Sequence, residues 1–259
     1  MFDITLHSAG LAYGDNQIFE NLNLTLEGGH WTCLLGGSGV GKTTLLRMVA
    51  GLTDALNIST SGEVICSDDQ PLQGRIAWMS QQDSLLPWAS VLENVTVGEQ
   101  LRSRSLFRKK KLSDDVLERA LSVLDRVGLT DKASTLPQNL SGGQRQRVAL
   151  ARTLMENRPV VLMDEPFAAV DAITRLDLQD LSCELLSGRT VLLITHDPLE
   201  ALRLGHRVYH LRGNPAQLTA PIAPPGQTPR SLEDTELMSL QGQLLDRLRH
   251  EGADVGASL

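Results

Sequence analysis

Cysteine is scarce in this chain of 259 residues: Cys33, Cys66 and Cys183 stand far apart. No CxxC pair and no Cys/His ligand spacing occurs, which argues against a metal site of that kind, and so sparse a set suits a reducing compartment. Positive charge is also in deficit. The net charge is -7, and a general nucleic-acid binder needs clustered cations to neutralise phosphate. No apolar stretch approaches the ~18–20 residues of a membrane span. Met1–Thr5 lacks the basic region and apolar run of a secretory signal. No internal repeat is visible. What remains is the composition of an ordinary folded, soluble chain, 41% hydrophobic and 21% charged, long enough for a sizeable core.

The N-terminal stretch alternates as strands do. Ile4, Leu6, Leu11 and Tyr13, then Leu22, Leu24 and Leu26, fit two strands around the turn Gly14-Asp15-Asn16. Trp31–Leu35 reads as a buried strand running into glycines, and Lys42–Leu52 has helical spacing. Residues 53–75 look polar and turn-rich, and Arg75–Ser80 is a brief strand. From Asp83 to about Ser141 the pattern turns helical, with Ser113 as a helix cap. A helix over Gly143–Asn157 follows. Val160–Met163 and Thr190–Thr195 are continuous apolar runs, as buried parallel strands are, separated by a helix over Ala172–Leu186. Ala220–Pro229 holds four prolines and reads as a linker, Leu232–Leu248 as a short amphipathic helix, and the tail after Glu251 as frayed.

Three motifs carry chemistry. Gly36-Gly37-Ser38-Gly39-Val40-Gly41-Lys42-Thr43 fits G-x-x-x-x-G-K-[ST], with Thr44 following. Its glycines let successive N–H groups curl around phosphate oxygens, and the helix after it adds its positive end. Lys42 reaches the β- and γ-phosphates of a nucleotide, and the Thr43 hydroxyl ligates Mg²⁺. Second, Val160–Met163 delivers two carboxylates: Asp164 suits the Mg²⁺, and Glu165 suits a general base for the attacking water. Third, Leu140-Ser141-Gly142-Gly143-Gln144 opens a helix. Ser141 caps it, and two bare glycines then expose backbone N–H groups, a second anion-holding feature in one chain. A head-to-tail pair of subunits would use both.

In this order the three elements resemble the nucleotide-binding subunit of an ATP-binding cassette (ABC) transporter, and Leu140–Gln144 matches that family's signature in full. The resemblance covers about Ile4–Leu211. It implies an α/β fold: a P-loop NTPase core with a parallel-sheet, RecA-like subdomain, an N-terminal antiparallel β subdomain and a helical insertion at about 83–141. The ATPase domain would occupy 1–219, with a linker and short helix over 220–259. Tyr13 matches the family's adenine-stacking aromatic, the other reading being a core tyrosine. Gln81, chosen over Gln82 by its spacing to Pro87, matches the glutamine that senses Mg²⁺ and water. The Leu85-Leu86-Pro87-Trp88 segment after it faces the membrane partner. His196 matches the histidine that contacts the γ-phosphate. Asp171 matches the loop that crosses the dimer interface, where Ala168 and Val170 replace the family's usual serine and leucine.

The resemblance implies a cycle in which two copies sandwich two ATP molecules, hydrolyse them and drive a separate permease from the cytoplasmic face of the membrane. The solute would come from an external binding protein. The branch most resembled imports nitrate, sulfonates, taurine or thiamine precursors, and the chain ends too early for the regulatory domain of sugar importers. A soluble member of the superfamily is the main alternative, although it would usually carry two cassettes or long insertions. A non-hydrolysing module is disfavoured by Glu165, Gln81 and His196 together, and a small-molecule kinase leaves Leu140–Gln144 unexplained. The basic run from Arg102 to Lys111 reads as a solvated loop, with contact to anionic lipid as the other reading.

Overall fold

The computed structural model describes residues 1–53, 58–102 and 112–255, with side chains as far as 248. The basic run lies outside the described residues apart from Arg102. The chain divides into two compact units: Met1–Ile76 with Ser187–Leu259, and Ala77–Leu186.

The first unit opens with the expected hairpin. β1 (Ile4–Tyr13) and β2 (Asn16–Leu26) run antiparallel, pairing Ile4 with Leu26 and Leu6 with Leu24. These four side chains are buried, as period-two alternation on a half-buried sheet requires. On its other side β1 pairs with β4 (Ile58–Cys66), a strand absent from the sequence reading. Its residues are polar and mostly exposed. An outer strand with so little buried surface is held by backbone pairing and carries no hydrophobic pattern. Gly62 explains the fit. It has φ 80, and a Cβ there would lie 2.5 Å from the carbonyl oxygens of His7 and Ser8.

The second sheet of this unit is mixed. β3 (Trp31–Gly36) lies between β7 (Thr190–Ile194) and β8 (Arg207–Arg212), parallel to both, and the short β9 (Gln217–Leu218) adds antiparallel to β8. β3 and β7 are buried almost throughout, which is why they read as unbroken apolar runs. The helix after β3, α1 (Lys42–Val49), stops three residues short of the expected Leu52. Gly51 takes φ 67, its N–H donates to the Met48 carbonyl and the Leu52 N–H to that of Arg47. That left-handed cap ends a helix whatever the periodicity beyond it.

Sequence reading left β8, β9 and the short helix α6 (Pro198–Leu204) unassigned. The proline-rich stretch 220–229 is irregular but is not free of the core. The Ile222 N–H and C=O exchange hydrogen bonds with Val208, both 2.8 Å. Arg230, only 4% exposed, donates to carbonyls of Pro224, Pro225 and Gly226 and, across the chain, of Leu202 and Gly205 at the end of α6. The final helix, α7 (Thr235–Val255), begins three residues later than expected and runs to Val255, the last described residue, four residues into the stretch expected to fray. Leu237 and Leu244 are buried.

The second unit sets β5 (Ile76–Met79) beside the fully buried β6 (Val160–Asp164). The same unit holds α2 (Val91–Arg102), α3 (Asp114–Arg126), α4 (Gly142–Met155) and α5 (Ala172–Leu185). The Ser113 hydroxyl accepts from the Val116 N–H, so the cap read from sequence forms. α4 packs on both α2 and α3, and its Val148, Leu150 and Ala151 are buried.

One buried side chain shapes the loop before α2. Asn94 is fully buried; its amide nitrogen donates to the carbonyls of Leu86, Ala89 and Ser90, and its oxygen accepts from the Leu86 N–H at 2.7 Å. Asn94→Leu leaves those backbone groups unmet. It is expected to destabilise the chain by about 2 kcal/mol, from the ~1–3 kcal/mol cost of a buried unsatisfied polar group. Chemical denaturation checks this; an unchanged midpoint would show that the loop holds without the amide.

Candidate functional site

In the first unit, β3 ends at Gly36 and α1 starts at Lys42, so the glycine loop joins a buried strand to a helix N-terminus. Gly41 has φ 107, and a Cβ on it would sit 2.6 Å from Ile18 Cγ2. A Cβ on Gly36 would lie 2.7 Å from the Leu211 carbonyl oxygen. Packing therefore demands glycine at both ends of the loop, whereas Gly37 and Gly39 face open space. The buried Lys42 folds its ammonium back along the loop, donating to the carbonyls of Gly36 and Gly37, both 2.9 Å. Thr43 and Thr44 follow on the first turn, half-buried.

A cavity of about 660 Å³ opens beside this loop. Gly36–Val40 line it, and so does His196, which stands exposed just past β7. These residues are far apart in sequence, and the parallel pairing of β7 with β3 brings them together at the carboxyl ends of neighbouring strands. His210 and Arg212 of β8 line the same cavity; sequence reading missed them because β8 itself gave no clear pattern. Tyr13 closes β1, paired with Asn16, itself a lining residue, and is 37% exposed, which removes its reading as a core tyrosine.

In the second unit, Asp164 is buried at the end of β6 and Glu165 follows with φ 49. A left-handed glutamate is uncommon, costs of order 1–2 kcal/mol and persists only where neighbours hold it. Two glutamines contact this residue, and its carbonyl also accepts from the Ala168 N–H at 3.3 Å. Gln81 Nε2 donates to Glu165 Oε2 at 3.3 Å. Gln146 Nε2, from α4, donates to the main-chain oxygens of Glu165 and Pro166 at 3.0 and 2.9 Å. The side chain of Gln81 reaches the carboxylate, while the backbone oxygen of Gln82 accepts from Ser80 and Ser84. Sequence reading missed Gln146, whose only signal is an amide on the buried face of α4.

α4 organises the rest of this cluster. Ser141 and Gln144 form a reciprocal cap: the Ser141 hydroxyl accepts from the Gln144 N–H, and the Gln144 side chain accepts from the Ser141 N–H. Gln144 is thus engaged by its own helix. Gly142 and Gly143, at the first two helical positions, have N–H groups without an intrahelical acceptor, and Ser141 and Gly142 are exposed. Further along α4, Arg145 pairs with Asp83, and Arg152 donates to the carbonyls of Asp83 and Ser84, so the helix also braces the segment after Gln81. Burial lowers the Arg152 pKa from its ordinary value. Asp171 caps α5 by accepting from the Thr174 N–H, and that hydrogen bond holds its carboxyl below the usual range.

The sequence matches the ABC transporter family over residues 19–168, more than half of the chain. It is 45% identical over 251 residues to an uncharacterized ABC transporter ATP-binding protein of Haemophilus influenzae, spanning 96% of this chain and 99% of that protein. It is 40% identical over 247 residues to an aliphatic sulfonates import ATP-binding protein of Rhodococcus jostii, spanning 95% and 93%. Among solved structures it resembles a dimeric post-hydrolysis ATP-binding cassette bound to ADP and inorganic phosphate. The TM-score is 0.72 and the identity 29%, covering 86% of this chain and all of that one. The chain belongs to the ABC transporter family, as an ATPase subunit of α/β P-loop fold.

Proposed function

We propose that this ATPase powers import of a small solute, of the sulfonate class, as a peripheral subunit on the cytoplasmic face of the membrane. It works as a nucleotide-sandwich pair of identical chains seated on a separate permease, which a solute-binding protein supplies. Relatives named as sulfonate importers support the direction and the solute class. Among the described residues no helix is long and apolar enough to cross a membrane; in this reading a separate permease carries the path for the solute. Trp88, 74% exposed beside the loop that Asn94 fixes, offers a surface for that permease.

The observation that carries the sandwich is the presence in one chain of two features suited to an anion, the Gly36–Thr43 loop and the start of α4 at Ser141–Gly143, exposed at Ser141 and Gly142. One copy grips the phosphates with Lys42 and Thr43 while its partner closes on the γ-phosphate with Ser141 and Gly143. Tyr13 stacks on adenine, Asp171 crosses to the other copy, and the stretch 83–141 acts as a helical subdomain. Glu165 takes the proton of the attacking water, Gln81 orients that water, and His196 steadies the phosphate charge. The Thr43 hydroxyl, the Gln81 amide oxygen and the Asp164 carboxylate are each a hard oxygen donor of the kind Mg²⁺ takes. Among the described residues there is no His/Cys/Asp/Glu cluster for a metal ion. Bound to those oxygens, Mg²⁺ supplies charge neutralisation.

The test is the order of the reaction in protein. Turnover per chain should rise with protein concentration, because each site needs two copies. Ser141→Arg should lower turnover by about 10²-fold or more, the scale of losing a preorganised anion contact, while nucleotide affinity at Gly36–Thr43 stays unchanged. Concentration-independent turnover that survives this substitution removes the sandwich.

A further inference from the structure

We infer that Gln146 is a positioning residue for hydrolysis: it holds the left-handed turn at Glu165 and thereby ties the start of α4 to the carboxylate that activates water. This rests on the proposed role of Glu165.

The geometry has three parts. Glu165 sits at φ 49, a conformation its side chain disfavours. Gln146, 9% exposed, spends its amide on the carbonyls of Glu165 and Pro166, which fixes the peptide on the C-terminal side of that turn. The start of α4 also abuts the next stretch of chain, since a Cβ on Gly143 would lie 3.0 Å from the Ala169 carbonyl oxygen. α4 and the 165–169 loop therefore meet at two points roughly one helical turn apart. A shift of α4 as Ser141 and Gly143 engage a partner's nucleotide is passed to the same chain's Glu165. If the turn relaxes, the carboxylate moves off line, and a displacement near 1 Å costs up to about 10²-fold in rate.

Gln146→Met keeps length and helix propensity but removes the donor; Gln146→Glu does the same with the shape retained. Either is expected to lower kcat for ATP by about 10–10²-fold with KM within about twofold of wild type. Gln146→His, which keeps an N–H donor on the side chain, should recover part of the loss. The decisive measurement is the double substitution. On a Glu165→Gln background the Gln146 change should cost no further turnover, because there is no base left to aim. An undiminished loss on that background, or an unchanged kcat in the single variants, overturns the inference. Wild-type turnover and its drop in Glu165→Gln alone report separately on the role of Glu165 itself.

Discussion

Glu165→Gln is expected to lower phosphate release by about 10²–10⁴-fold, the range for loss of a general base, and to accumulate an ATP-bound dimer. The substitution isolates one property. Glutamine has the shape of glutamate, and its amide oxygen still accepts from Gln81 Nε2, the contact now made by Glu165 Oε2 at 3.3 Å. The main-chain oxygens held by Gln146 are untouched. What disappears is the capacity to take a proton from water. Nucleotide binding by the Gly36–Thr43 loop should therefore persist, and the ATP-bound form should be trapped rather than lost. Steady-state phosphate release, with sedimentation of the ATP-saturated variant, checks both halves. Turnover within a few-fold of wild type would falsify the role assigned to Glu165.

Arg230→Leu is expected to cost about 3–5 kcal/mol, the sum of ~1–3 kcal/mol for each buried acceptor left unmet. The Arg230 Nη1 donates at 2.8 Å to the carbonyls of both Leu202 and Gly205, which lie where α6 ends and its own hydrogen bonds run out. A cation at that position also favours the negative end of the helix. The Nη2 group reaches Pro224 at 2.6 Å and so pins the proline-rich stretch to α6. Leucine fills the volume but supplies no donor. At ~2–4 °C per kcal/mol for a chain of this size, the thermal midpoint should fall by about 10 °C. Arg230→Lys, with one ammonium in place of a planar fork, should lose less. Thermal unfolding followed by circular dichroism reads the difference, and a midpoint unchanged in Arg230→Leu would show that α6 and residues 224–230 hold together without it.

The parts legible in the sequence are those whose signal is local. A glycine loop needs particular φ angles, as Gly41 at φ 107 does. A cap needs an oxygen three residues before a helical N–H, as Ser113 and Ser141 provide. Strands buried on both faces, such as β3, β6 and β7, show unbroken apolar runs. Boundaries were less legible: α1 ends at a Gly51 cap inside a pattern that continues to Leu52. β4 was invisible because exposed polar residues bring no periodicity and its stability comes from pairing with β1.

Within the candidate site the same division holds. The sequence alone determined the candidate groups: a glycine loop of the phosphate-holding pattern, the carboxylates that end a strand, and the helix that starts with bare glycines. Only the tertiary structure decided the support: that Gln81 rather than Gln82 meets Glu165, that Gln146 holds its turn, that His196 faces the glycine loop's cavity, and that Arg230 closes α6. The reason is physical. Backbone conformation and hydrophobic period depend on near neighbours in the chain. A buried amide or guanidinium is defined by the carbonyls it meets, and chain folding, not sequence spacing, brings those within reach.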